Sequence, residues 1–161
     1  MKAVRALFVL LASLTLPVLA GAPAAAPEAA RPNAPAPAAP TMTLTPVKDL
    51  KWQPLDPKNP GGLQVSLVSG DMYKGPTSFF LKMSPGSKSP GHTHSNDYYA
   101  VVVAGNPGHG LTSEAANNGQ AVGSTWYQPG KQAHYDNCNG TSECVIYLVY
   151  PAGGFDFQMA K

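Results

Sequence analysis

Residues 86–105 read GSKSPGHTHSNDYYAVVVAG, and the fold turns on this stretch. Pro85-Gly86 and Pro90-Gly91 have the chemistry of turns, whereas Tyr98 to Val103 is an apolar, β-branched and aromatic run of the kind that forms a strand. His92 and His94 stand two apart just ahead of that run. In an extended chain residues i and i+2 project from one face, so the two imidazoles share a face. Inside a barrel that face is the interior. Two neighbouring imidazoles are hard to satisfy there by hydrogen bonds alone, but a divalent ion uses both lone pairs.

Outward from this stretch the same pattern repeats. Leu63, Val65 and Leu67 alternate with Gln64 and Ser66, which predicts a strand with one wet face. Phe79 to Met83, Tyr98 to Val103 and Val145 to Tyr150 are continuous apolar runs, predicted as strands buried on both faces. Between the runs, Asn106-Pro107-Gly108, Asn117 to Gly119, Pro129-Gly130 and Asn139-Gly140 are predicted turns. The only helix candidate is Thr112 to Asn117, which Asn118-Gly119 would end within two turns. The chain therefore reads as all-β, a closed or sandwiched barrel without internal repeats. His134, on a second strand after Pro129-Gly130, is placed to complete a three-histidine site. His109, within the Asn106 to Gly110 turn, is predicted to be exposed and uninvolved.

The arrangement also resembles a known family. From Gly86 to Gly105 the chain is similar to the first cupin motif: a glycine, five residues, His-x-His, a short gap to an acidic ligand, and a closing glycine. From Gly123 to Cys138 it resembles the second motif, with Gly123, Pro129 and His134 in the family spacing and a glycine one place early at Gly130. The resemblance implies a cupin-type double-stranded β-helix, or jelly-roll, barrel. More narrowly, the run from Asp71 through Tyr150, with the paired cysteines and the Phe155-Asp156-Phe157 end, resembles the group called DUF4437. That group is similar to the cupin domain of the ChrR anti-sigma factor and to small-molecule dioxygenases. One departure stands out. Where the family carries a glutamate ligand this chain has Tyr98, with Asp97 before it and Tyr99 after. Parity puts Tyr98 on the face of His92 and His94, whereas Asp97 would need a bulge to turn inward and reads as a solvated loop acid. Tyr98 is thus a core aromatic, a phenolic donor with a catalytic role or an occasional metal ligand, and whether Asp97, Tyr98 or neither completes the site is open.

The amino-terminal forty residues have a different character. Lys2 and Arg5, the apolar run from Ala6 to Val18 and the Val18-Leu19-Ala20 ending predict a signal peptide over residues 1–20, cleaved before Gly21. The run is too short for a membrane-spanning helix. Residues 21–41 form an Ala/Pro-rich linker and residues 42–161 the barrel domain, about 120 residues, near the usual size of one domain. The expected location is the periplasm or the exterior. Of eleven basic and nine acidic residues, loss of Lys2 and Arg5 leaves nine of each. Near-neutral charge gives no reason to expect nucleic acid as a partner, nor a membrane once the signal is removed. Cys138 and Cys144 are expected to pair in an oxidising compartment, although Cys138, four residues past His134, could instead supply a thiolate ligand.

Three imidazoles without a carboxylate suit iron, zinc, nickel, copper, cobalt or manganese, and the sequence does not choose among them. Three protein ligands leave positions open for water or substrate, a catalytic rather than structural pattern. The resemblance implies an oxygen-dependent reaction on a small oxygenated molecule chelated to the metal. A non-catalytic binding or sensing module is the alternative, and the oligomeric state, homodimer included, is open.

Overall fold

The computed structural model describes residues 41–161. The predicted signal peptide, and the linker apart from Thr41, lie outside the described residues. Thr43–Lys161 form one compact unit. Its strands in chain order are β1 (Gln53–Pro54), β2 (Gln64–Gly70), β3 (Thr77–Met83), β4 (His92–Thr93), β5 (Tyr98–Ala104), β6 (Pro107–Gly110), β7 (Thr125–Gln128), β8 (Tyr135–Cys138), β9 (Cys144–Tyr150) and β10 (Gln158–Met159).

Six strands form one antiparallel sheet in the order β1-β2-β3-β9-β5-β7. The non-consecutive neighbours β3-β9 and β9-β5 are the crossovers of a jelly roll. The second layer is built from the pairs β10-β4 and β6-β8. An isolated bridge between His92 and His134 links the two pairs, as do reciprocal hydrogen bonds from Ser89 N to Asp136 O (2.7 Å) and from Cys138 N to Ser87 O (2.9 Å). The sheets face each other as a sandwich and, among the described residues, do not close into a continuous hydrogen-bonded ring.

The core lies between the layers. Val65, Phe79, Leu81, Met83, Ala100, Val102, Ile146 and Leu148 are buried, and Phe79 stacks on Tyr150 with ring centroids 6.0 Å apart. Cys138 and Cys144 form a disulfide that ties the end of β8 to the start of β9, so Cys138 is not a thiolate ligand.

Four sequence expectations need correction. The three apolar runs are not alike: along β5, Tyr98, Ala100 and Val102 are 3, 1 and 1 % exposed, whereas Tyr99, Val101 and Val103 are 53, 38 and 42 % exposed, and in β3 and β9 the outward Phe80, Lys82, Val145, Tyr147 and Val149 are only half-buried. A continuous apolar run cannot report that nothing among the described residues covers its outer side. In β2, Ser66 is buried and Leu67 is 48 % exposed, although Leu67 stands opposite the buried Phe79 in unbroken register and the register shift comes only beyond it. Pro107 to Gly110 is not a turn but strand β6, paired with β8. Its glycines serve close approach: a Cβ on Gly108 would collide with the Ala116 carbonyl. Pro107, which lacks an N–H, is tolerated because β6 is an edge strand. The helix candidate shortens to a single 3-10 turn, Ala115–Asn117, with the Thr112 hydroxyl accepting from Ala115 N at 3.1 Å.

Candidate metal centre

His92 and His134 lie directly opposite each other across two antiparallel strands and exchange backbone hydrogen bonds, His92 N to His134 O at 3.0 Å and His134 N to His92 O at 2.9 Å. Opposed residues of such a pair put their side chains on one face, and the ring centroids are 4.2 Å apart. His94, two residues beyond His92, projects to the same side, 5.1 Å from each of the other two rings. One ring nitrogen from each histidine lies within 4.8 Å of the other two. All three residues are buried, at 3, 5 and 0 % exposure for His92, His94 and His134.

Each ring is oriented the same way. His92 Nδ1 donates to the Pro90 carbonyl at 3.0 Å, His134 Nδ1 to the Gln132 carbonyl at 3.1 Å, and His94 Nδ1 to the Asp156 carbonyl. A backbone acceptor at Nδ1 fixes the tautomer with its lone pair on Nε2, the form in which histidine ligates a metal. Asp156 is itself anchored, its carboxylate accepting from Ser95 N at 2.7 Å, the Ser95 hydroxyl at 2.6 Å and Gln158 Nε2 at 2.7 Å. Phe157 stacks on His92 at 4.4 Å and Phe155 packs on His94 at 5.2 Å. Burial lowers the pKa of His94 and takes that of His134 down to about 4, so both rings are neutral and able to ligate at ordinary pH. These residues fit a divalent ion.

Tyr98 is buried on the same side, with its hydroxyl 3.4 Å from His134 Nε2. Burial, reinforced by the nearby charge of Asp136, pushes its pKa well above the usual tyrosine value, so the phenol keeps its proton. Asp97 stays outside the site, exposed, accepting from Gly130 N at 2.7 Å and from the Tyr127 hydroxyl at 2.8 Å.

His109 does not follow its sequence expectation. Its side chain is 11 % exposed, stacks on Trp126 at 4.8 Å and lies 4.9 Å from the His134 ring. Its Nδ1 donates to Asp136 Oδ1 at 2.7 Å. Asp136 was missed by the sequence reading as well, although its signal was present: two residues past His134, it shares that residue's face. Burial opposes ionisation of Asp136, but the hydrogen bond and nearby charge of His109 outweigh it and hold the carboxyl well below the usual range.

A cavity of about 260 Å³ opens onto this cluster. Leu81, Met83, Ile146, Leu148, Phe155 and Phe157 contribute its apolar walls, and His92, His94, Tyr98, Asp136 and Tyr150 its polar end. The Tyr150 hydroxyl is buried without a hydrogen-bond partner among the described residues, the position of a donor awaiting a ligand or water.

No family model matches the chain, and no curated protein matches it in sequence. The narrower resemblance to the DUF4437 group therefore gains no support. Among solved structures the chain is similar to the polyketide cyclase RemF from Streptomyces resistomycificus, at 16 % identity over 75 % of this chain and 87 % of that one, with a TM-score of 0.60. It is similar to an RmlC-like cupin protein from Ralstonia eutropha at 19 % identity, over 73 and 72 % of the two chains, with a TM-score of 0.56. It is also similar to KdgF from Halomonas sp. at 20 % identity, over 69 and 94 %, with a TM-score of 0.52. At these identities the likeness is one of fold.

Proposed function

We propose that this chain, whose fold is that of the cupins, is an exported metalloprotein that holds one divalent ion on His92, His94 and His134 and acts on a small oxygenated molecule. The observation that carries this reading is that every Nδ1 of the trio is taken by a backbone carbonyl, which leaves three Nε2 lone pairs gathered in one buried place. A bound ion would supply Lewis acidity at its open positions and, if redox-active, oxygen activation.

The remaining work falls to the chain's own side chains. The Tyr98 phenol now faces His134 Nε2. Once that lone pair is engaged, its proton is available to an oxygen of the ligand, and the unpartnered Tyr150 hydroxyl offers a second donor. The apolar walls exclude water and select a mostly apolar body. Oxygen-dependent cleavage is the reaction class we assign. That a protein of the same fold is named a polyketide cyclase supports an enzymatic use of such a cavity. Binding without turnover is the second reading, favoured by one observation. Asp156 is engaged at both carboxylate oxygens by Ser95 and Gln158, and Asp136 is held at Oδ1 by His109 with Oδ2 turned to the histidines, which leaves no carboxylate outside the metal cluster to act as a base. Export is supported by the disulfide, and no helix among the described residues is long and apolar enough to cross a membrane.

The test is titration of the cobalt(II)- and iron(II)-loaded protein with β-diketones, flavonols and thiols, recording the visible spectrum and dissolved oxygen. The expected result is a spectral change saturating at one equivalent with oxygen-donor ligands, and oxygen uptake by the iron form. A spectral change without uptake would favour the binding module. No change with any compound would overturn ligand binding at the metal.

A further inference from the structure

The first cupin motif would place a carboxylate on β5, where this chain has Tyr98. Another carboxylate reaches the site from β8. Asp136 Oδ1 accepts from His109 Nδ1 at 2.7 Å, and Oδ2 stands 3.4 Å from His92 Nε2 and 3.8 Å from His134 Nε2. Both of those nitrogens carry lone pairs when the rings are neutral, because the Nδ1 atoms donate to Pro90 and Gln132 carbonyls. A carboxylate oxygen facing two lone pairs is repelled unless a cation lies among them. The separations suit a metal ion of five or six coordination, which keeps positions open for a ligand: donors about 2.1 Å from a shared ion stand about 3.0–3.6 Å from one another at angles of about 90–120°.

His109, His134 and Asp136 also lie within 4.8 Å of one another, but they do not make an independent second site. His134 has only one nitrogen to give, and both nitrogens of His109 are engaged. His109 Nε2 meets Gln128 Oε1 at 3.0 Å. Gln128 Nε2 donates to the Pro129 and Gln132 carbonyls at 3.0 and 3.1 Å, which fixes the amide oxygen as the atom facing the ring. With Trp126 stacked on its face, His109 is a clamp on Asp136 Oδ1 that leaves Oδ2 turned to the histidine trio.

We propose that Asp136 is the fourth protein ligand of the metal, a carboxylate delivered from β8 in place of the one expected on β5, with His109 as its positioning residue. The proposal rests on the three-histidine reading. It narrows the cofactor to an ion that accepts mixed nitrogen and oxygen donors, such as zinc, iron(II), cobalt(II) or manganese, and disfavours copper(I).

The test compares wild type with D136N and H109Q in chelator competition for zinc and in the visible spectrum of the cobalt(II) form. D136N keeps the size of the side chain and an acceptor for His109. It is expected to weaken binding at least about a hundredfold and to shift the cobalt bands. H109Q, which loosens the carboxylate without removing it, is expected to weaken binding about tenfold. A crystal structure of zinc-loaded wild type gives an answer that does not depend on either variant folding: Oδ2 within about 2.2 Å of the ion supports the assignment. Unchanged affinity and cobalt bands in D136N, or water in place of Oδ2 in that structure, would overturn the role of Asp136 and leave the trio standing. Wild type that binds no ion, or H94A that binds as tightly as wild type, would instead remove the three-histidine reading beneath it.

Discussion

His94→Ala removes one of three nitrogens and leaves the strands intact, and its effect can be worked in advance. An ion at a hundredfold excess over its Kd stabilises the native state by about 2.7 kcal/mol. The unfolding entropy of a domain of about 120 residues is about 0.25 kcal/mol/K, so metal should raise the wild-type Tm by about 10 °C. The variant without metal will also melt lower than wild type. His94 is 5 % exposed, packs on Tyr98 and Phe155 at 5.4 and 5.2 Å, and satisfies the Asp156 carbonyl. Leaving that acceptor unpaired costs about 1–3 kcal/mol before any cavity term. The decisive quantity is therefore the increment produced by metal within each protein. Thermal melts in chelator and in excess zinc or cobalt should show about 10 °C for wild type and none for H94A. An equal increment in the variant would refute the assignment of His94 as a ligand.

Other outcomes follow from the same geometry. Tyr98→Phe should leave metal stoichiometry at wild-type level but weaken oxygen-donor ligands about five- to tenfold, the loss of one hydrogen bond; loss of the ion itself in that variant would make Tyr98 a ligand instead. Reduction of Cys138–Cys144, which closes a loop of sequence separation 6, should cost about 2 kcal/mol in denaturant melts, and thiol titration of unreduced, denatured protein should find no free thiol. In the metal-free protein His134 titrates near 4, against 6.5 for an ordinary histidine, so the unfolded chain takes up its proton first as pH falls. This contribution to stability is complete above 6.5, declines between 6.5 and 4 and is lost below, about 3 kcal/mol in all. Denaturant melts across that range in wild type and His134→Gln measure the difference, and identical pH profiles would contradict it.

Period-2 parity carried most of the site. His92 and His94 share a face because they are two apart on extended chain, Tyr98 reaches them from β5 of the facing sheet after the bend at Ser95 and Asn96, and His134 is brought opposite His92 by the strand pairing that the turn at Pro129-Gly130 permits. The same parity places Asp136 with His134, but an acidic residue after a histidine reads as a solvated loop position until the partner strand is known. His109 was hidden by chemistry that points two ways. Pro and Gly mark turns, but they also mark edge strands and close backbone approaches, and only the packing of Gly108 on Ala116 decides between them. Phe155, Asp156 and Phe157 reach the histidines from about sixty residues away through the β10-β4 pairing, a contact without a local signature. The exposed Tyr99, Val101 and Val103 show the complementary limit, since an apolar run reports that one face is buried but not that the other is.

The central claim is that His92, His94 and His134 hold one divalent ion, and elemental analysis of protein purified without a histidine tag tests it most directly. The account predicts about one equivalent of a single transition metal per chain in wild type, and background levels in variants with any one of the three histidines replaced by alanine. Wild-type protein that remains metal-free after equilibration with zinc, iron(II), cobalt(II) and manganese, or alanine variants that retain a full equivalent, would contradict it.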